Sequence, residues 1–347
     1  MRIGALLIAM SLQASAARGE VTATRLPSNP LITVNSSSSI GDNVNGPSLI
    51  RVPKWVKRPL GRYYLYFADH RGEAIHLAYA NAIAGPWKIH EPGALNVQRT
   101  AFARPQPDPP GIPSLYTHIA SPELWVDEAN KKIVMWYHGM WTDGNRWPAS
   151  LSAGIEAVRK WTTETGYEQF TQAALSTDGL HFEPLPPITK ENYLRVVQHG
   201  GYFYGMARLG HLLRSKDPLA AFEPGPNPFR GGPYEGRARH VALLKRKNRL
   251  YIFFSGIGDA PERILLSTID LSGDWKDWKA SLPVDILTPQ ADYECVKLPV
   301  TKSRGGDAAG PVHQLRDPAI FQENGKTYLL YSICGEQGIG AAELKIR

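Results

Sequence analysis

Arg316-Asp317-Pro318-Ala319-Ile320-Phe321-Gln322-Glu323-Asn324-Gly325-Lys326-Thr327-Tyr328-Leu329-Leu330-Tyr331-Ser332 sets out a pattern that the chain repeats: a polar pair, a short apolar strand, a Gly turn and an aromatic strand. Arg239-His240-Val241-Ala242-Leu243-Leu244, followed by Lys247-Asn248-Arg249-Leu250-Tyr251-Ile252-Phe253-Phe254-Ser255, matches it without a gap. Asn45-Gly46-Pro47-Ser48-Leu49-Ile50 leads likewise to Gly61-Arg62-Tyr63-Tyr64-Leu65-Tyr66, and Ala120-Ser121-Pro122-Glu123-Leu124-Trp125 to Ile133-Val134-Met135-Trp136-Tyr137. The weakest copy runs from Tyr193 through Gly201-Tyr202-Phe203-Tyr204-Gly205-Met206 to Phe222. Units that repeat on this scale bury their apolar faces against one another. The expected fold is therefore all-β, a five-bladed β-propeller, with a stacked β-helix second because its rungs are shorter than these units.

Blades are expected at about 42–87, 118–182, 193–222, 235–278 and 316–344, each of three or four strands rich in Tyr, Phe, Ile and Val between Gly, Asn or Asp turns. The 347 residues suit one propeller domain over 18–347, and the one place for a helix is 152–163. Residues 1–17 open on Met1-Arg2, continue with a short apolar run and end in Ala14-Ser15-Ala16-Ala17, the pattern of a cleaved secretory signal peptide. A periplasmic or extracellular protein is expected, with no membrane insertion. In that setting Cys295 and Cys334 have the opportunity to form a disulfide, although spacing alone does not bring their Cβ atoms together. The net charge of +7 is not gathered into Lys/Arg runs, which argues against nucleic acid and leaves room for a cationic pocket.

In a propeller the first strand of each blade lines the central channel, so aligning the repeats aligns the candidate site. The opening pairs are Asn45-Gly46, Ala120-Ser121, Arg239-His240 and Arg316-Asp317, with blade three unresolved, and Ser48, Glu123 and Ala319 follow on the same face. These positions are polar and differ between copies, as a ligand site on a repeated scaffold would. Asp69-His70-Arg71-Gly72 closes the second strand of blade one, where a hairpin would also use Asp and Gly. Arg237, Arg239, His240 and Arg316 converge on the channel and would repel one another without an offset. Either Asp317, Glu235 and Glu123 neutralise them, or they bind the planar acid of a uronate or a sulfated sugar. His118, His138, His199, His240 and His313 lie near strand ends, but no His-x-His spacing points to a metal. Trp141 and Trp147 are the tryptophans best placed to stack on a sugar ring.

Arg-Asp-Pro-Ala-Ile-Phe, the Asn-Gly-Lys-Thr-Tyr-Leu-Leu-Tyr-Ser second strand, the Glu235-Gly236 element and the five units together resemble the five-bladed β-propeller glycosidases, the family 43 type and its relatives. The resemblance implies an exo-acting, inverting glycoside hydrolase with an oligo- or polysaccharide substrate. It makes Glu235 the general acid and Asp317 the base, with Asp42 as the alternative base, because an oxocarbenium-like transition state needs a protonated carboxyl and an ionised one on opposite faces of the sugar. Two departures stand out: Arg237 replaces the proline that usually follows Glu-Gly, and Asn45-Gly46-Pro47 stands where the first blade usually carries its aspartate. The substrate-contacting set would be Asn45, Asp69, His70, His118, Glu123, Arg237, Arg239, His240 and Arg316. No cofactor is expected, although the resemblance allows a calcium ion in the channel. Two other activities fit the same residues. In a propeller-type polysaccharide lyase, Arg239 or Arg316 would neutralise a uronate while His240 or a tyrosine removes the C5 proton. In a glycan-binding propeller without turnover, the missing first-blade aspartate would mark lost catalysis.

Overall fold

The computed structural model describes residues 21–70, 72–104, 117–141 and 168–347. Within them β1 (Val21–Arg25) and β2 (Ile32–Thr33) precede five antiparallel sheets. Four sheets take their strands in sequence order: β3 (Asn45–Arg51) to β6 (Lys88–Asn96), β7 (Ile119–Asp127) to β10 (Glu183–Thr189), β11 (Arg195–His199) to β14 (Glu223–Pro224), and β15 (Ala238–Arg246) to β18 (Val284–Leu287). The fifth combines β19 (Arg316–Glu323), β20 (Lys326–Ile333) and β21 (Gly338–Ile346) with β1 as its outer strand, paired from Val21↔Ile346 to Arg25↔Ala342. The blades were expected to begin at about position 42; β1, ahead of that point, completes the last blade, and its five residues are too few to show a pattern on their own. The signal-peptide segment, the 152–163 helix and Trp147 lie outside the described residues. Among the described residues no helix is long and apolar enough to cross a membrane.

The ring is visible in its packing. β3 lies beside both β7 and β19, and β15 beside both β11 and β19. Five apolar clusters fill the five blade interfaces: Tyr66 with Met135 and Phe182, Trp136 with Phe222, Tyr204 with Trp275, Phe253 with Tyr331, and Leu65 with Leu330. A blade packed on both faces needs apolar residues on both. For that reason the six residues of β4 (Tyr63–Ala68) are all buried and read as an unbroken run of aromatic and apolar residues rather than an alternation. Each large apolar side chain buried this way contributes about 1.5–3 kcal/mol, so the interfaces hold the ring together. A disulfide joins Cys295, before β19, to Cys334, just after β20, across 39 residues.

The start of each inner strand shapes the site. The ladder slips between Asn45 and Ser48, Ala120 and Glu123, Ala238 and Val241, and Arg316 and Ala319. At three of these slips the second member of the opening pair is left-handed, with φ of 57° at Gly46, 50° at Ser121 and 48° at Asp317. Tyr193, φ 57°, holds the corresponding place before β11. Blade three therefore opens on Asn192-Tyr193, and Arg195 takes the place that Ser48 and Glu123 hold in their blades. A bulge of this kind re-aims one side chain toward the rim of the channel.

Candidate active site

In an antiparallel blade the second strand ends at the rim where the first begins. The turns after β4, β16 (Arg249–Gly256) and β20 therefore deliver His70, Glu262 and Glu336 beside the opening pairs. At this rim lies a cavity of about 440 Å³, which His70 lines and the two glutamates do not. One wall is Lys190, Asn192, Tyr193 and Arg208; the others are His70, Met140 with Gln169, and Arg239 with His240 and Gly306.

Beneath it lies a network of buried ions. Glu336 accepts from Asn43 Nδ2 at 2.6 Å, His70 Nδ1 at 2.9 Å and Arg316 Nη1 at 2.9 Å. Burial alone would raise its pKa, but His70 and Arg316 outweigh it and hold the carboxyl well below the usual range. Glu262 accepts from Arg239 Nε at 2.7 Å and Ser255 Oγ at 2.7 Å, with Arg316 Nε at 3.3 Å. Arg239 spends its remaining donors on the carbonyls of Gly306, at 2.9 Å, and Arg304. Asp317 binds His240 Nδ1 through one oxygen and accepts from Ser332 Oγ at 3.0 Å through the other. Arg195 donates to Glu123 at 2.9 Å and to the Pro122 carbonyl at 2.6 Å.

His70 bridges network and cavity, with Nε2 2.9 Å from Tyr193 Oη. The Tyr193 ring centroid lies 3.8 Å from that of His240 and 4.2 Å from that of His138. Burial, with the positive fields of Arg239, His70 and Arg195, pushes His240 well below its ordinary pKa. A neutral His240 that donates from Nδ1 to Asp317 keeps a lone pair on Nε2, in a cavity that no carboxylate lines among the described residues. Its hydrogen bond sets the tautomer, as in other histidine–carboxylate dyads.

Several expected residues stand elsewhere. Asp317 is fully buried, bonded to His240 and Ser332, and does not line the cavity. Glu235 lies on an exposed turn, accepting from Gly231 N at 2.8 Å, and does not line the cavity. Asp42 is exposed on the segment before β3, its carbonyl bonded to Gln337 Nε2 at 3.1 Å. Arg237 pairs with Asp259 at 2.8 Å, away from the cavity lining. Arg316 is buried in the network, and Glu123 faces Arg195. Asp69 is buried against Gly41, and His118 lies 5.8 Å, ring to ring, from His138. Asn45 is buried with Nδ2 3.0 Å from His70 Nδ1. Trp141 packs on Phe170, with ring centroids 5.8 Å apart. His70, Arg239 and His240 do line the cavity. Sequence reasoning missed Tyr193, Arg208, Glu262 and Glu336; the last two follow their second strands at unequal distances, so the repeat register does not line them up with His70.

A calcium ion takes six to eight oxygen ligands. Here the imidazoles of His118 and His138 lie under Tyr193, while Glu336, Glu262 and Asp317 are already bound to cations or imidazole, so this donor set does not supply such a shell.

No protein-family model matches the chain. Among solved structures it is similar to a putative glycoside hydrolase from Parabacteroides distasonis, with TM-score 0.58, 12% identity and coverage of 92% of this chain and 95% of that one. The GH43_1 enzyme from Xanthomonas citri, complexed with xylose, gives 0.55 at 13% identity over 96% and 92%. An N-acetylgalactosamine deacetylase from F. plautii gives 0.50 at 13% over 92% and 95%. The five-bladed glycosidase resemblance thus holds for the fold. In sequence, the chain is 33% identical over 348 residues to the uncharacterized protein R118 of Acanthamoeba polyphaga mimivirus, covering 94% of this chain and 91% of that protein. Similarity of that degree over nearly all of both proteins places the chain in one family with the mimivirus protein R118.

Proposed function

We propose that the protein is a secreted glycoside hydrolase that cleaves an anionic glycan from its end. One observation carries this reading: a cavity between blades places neutral His240, fixed by Asp317, against the Tyr193 phenol, with Arg208 and Lys190 on its wall and no carboxylate among the described residues that line it. The glycoside hydrolases that share the fold support a carbohydrate substrate. The deacetylase on the same frame is the reason that the chemistry must be argued from the side chains.

In this reading His240 Nε2 takes a proton from water as the water oxygen bonds to the anomeric carbon, and Tyr193 protonates the departing oxygen. Arg208 reads the anion. It has no carboxylate partner among the described residues, and its Nη2 reaches toward Gly305. Arg239 is a poorer candidate, because its donors are already spent on buried Glu262 and on the carbonyls of Gly306 and Arg304, and taking it from Glu262 would leave that buried carboxylate with only the longer contact to Arg316 as an ion pair.

Side-by-side stacking of Tyr193 and His240 also favours a second reading. A base and an acid on one face suit β-elimination, with His240 removing the C5 proton of a uronate and Tyr193 protonating O4. Cleavage of uronate and sulfated oligosaccharides in ¹⁸O water tests both. Hydrolysis puts the label into the product, elimination gives an unlabelled unsaturated sugar that absorbs in the ultraviolet, and Tyr193→Phe should remove most turnover in either case. Undiminished turnover in Tyr193→Phe would overturn the acid assignment.

A further inference from the structure

We infer that His70 and Glu336 are positioning residues that hold Tyr193 with its own phenolic proton directed into the cavity. This rests on the acid role proposed for Tyr193. His70 lies between two acceptors, with Nδ1 2.9 Å from Glu336 Oε2 and Nε2 2.9 Å from Tyr193 Oη. A neutral imidazole carries one N–H. If Nδ1 keeps it for Glu336, Nε2 must accept the phenolic proton, and Tyr193 has none to give to substrate. If both nitrogens are protonated, Nε2–H donates to Tyr193 Oη, and the phenol's own hydrogen turns to the cavity that Tyr193 lines.

The surroundings select the second arrangement. Glu336 is fully buried and fixed by Asn43 and Arg316, so its charge faces His70 from one side without solvent. Asn45 Nδ2 lies near the same Nδ1, and across Tyr193 stand the His240 and His138 rings. Burial pushes His138 and His240 well below their ordinary pKa, and nearby cations push the same way, so both stay neutral. Burial works against a charged His70 too, but the charge of Tyr193 once ionised and that of Glu336 oppose it and raise the imidazole to about 10; while the phenol is neutral, the Glu336 contact at 2.9 Å is what holds the second proton. Tyr193 itself is held at φ 57°, a conformation rare for a bulky residue. When Tyr193 gives its proton, the O–H bond breaks, the leaving oxygen gains the hydrogen, and the phenolate sits beside the His70 N–H. The proton that His240 has gained then returns the phenol to its starting state.

The test begins on the full chain without substrate, labelled with ¹⁵N-histidine and assigned through His70→Gln. The expected result is that both His70 nitrogens carry protons through neutral pH. One protonated nitrogen on His70 at neutral pH overturns the inference, with no activity required. With a turned-over glycan, His70→Gln should lower kcat by about 10²-fold, the lower range for a lost acid–base contribution, with KM little changed. A change in KM alone would overturn it. Doubly protonated His70 in a protein that cleaves no glycan would instead fault the functional reading.

Discussion

Asp317 and His240 show how much depends on a single contact. The carboxylate is buried, the imidazole is buried, and the bond between them leaves one nitrogen for chemistry. Asp317→Asn should keep the fold, present the wrong tautomer and lower kcat by about 10³–10⁴-fold, as loss of the orienting carboxylate does in other dyads. A kcat within tenfold of wild type would remove His240 from the base role. His70 adds a signature in stability. Its pKa is raised to about 10, so the stabilisation is complete below the unfolded value of 6.5 and is lost as pH rises toward 10. Unfolding free energies should fall across that window in the wild type and fall less in His70→Gln. Asp317, His240 and His70 were legible because they sit where repeats align. Tyr193 was not, because its blade is the weakest copy. Glu336 and Glu262 were not, because they lie in turns of unequal length after the second strands.

At the scale of the strand, the repeated pattern specified more than pairing. In the blades where it could be read, a polar pair before the apolar run marked the bulge that re-aims Asp317, yet the φ values behind it cannot be read from residue type, since Gly, Ser and Asp occupy the position and Tyr193 its counterpart ahead of β11. Gly46 is the copy that needs its glycine: a Cβ there would meet Ser121 Cα at 2.9 Å, and φ is 57°. Gly46→Ala should cost about 1–3 kcal/mol, seen as a lower denaturation midpoint, because strained backbone and a backbone clash coincide. The disulfide ties the turn that carries Glu336 to the loop before β19, and its two cysteines were legible as a pair only by compartment. Closing a loop of 39 residues stabilises by about 2–4 kcal/mol, so Cys295→Ser with Cys334→Ser should lower stability by that amount. An unchanged midpoint would show that the bridge contributes nothing.

For the whole molecule, five interfaces make a rigid ring, and rigidity is what allows groups from different blades to share one small cavity. The count of blades and their all-β character followed from repetition, while the closing strand β1 did not. The charge balance is a property of the whole ring as well. Arg239, Arg316 and Arg195 are each matched by a buried or half-buried acid, so the excess at the cavity comes from its wall, where Arg208 stands. The account therefore turns on whether the cavity cleaves an anionic sugar in preference to its neutral counterpart. The measurement is kcat/KM for a matched pair of oligosaccharides, one ending in a uronate and one in the neutral sugar, with wild type and Arg208→Gln. The account predicts a preference for the anionic substrate of about 10–10² in the wild type, the worth of one charged hydrogen bond, and loss of most of it in Arg208→Gln. Equal rates on both substrates, or a preference that survives Arg208→Gln, would contradict it.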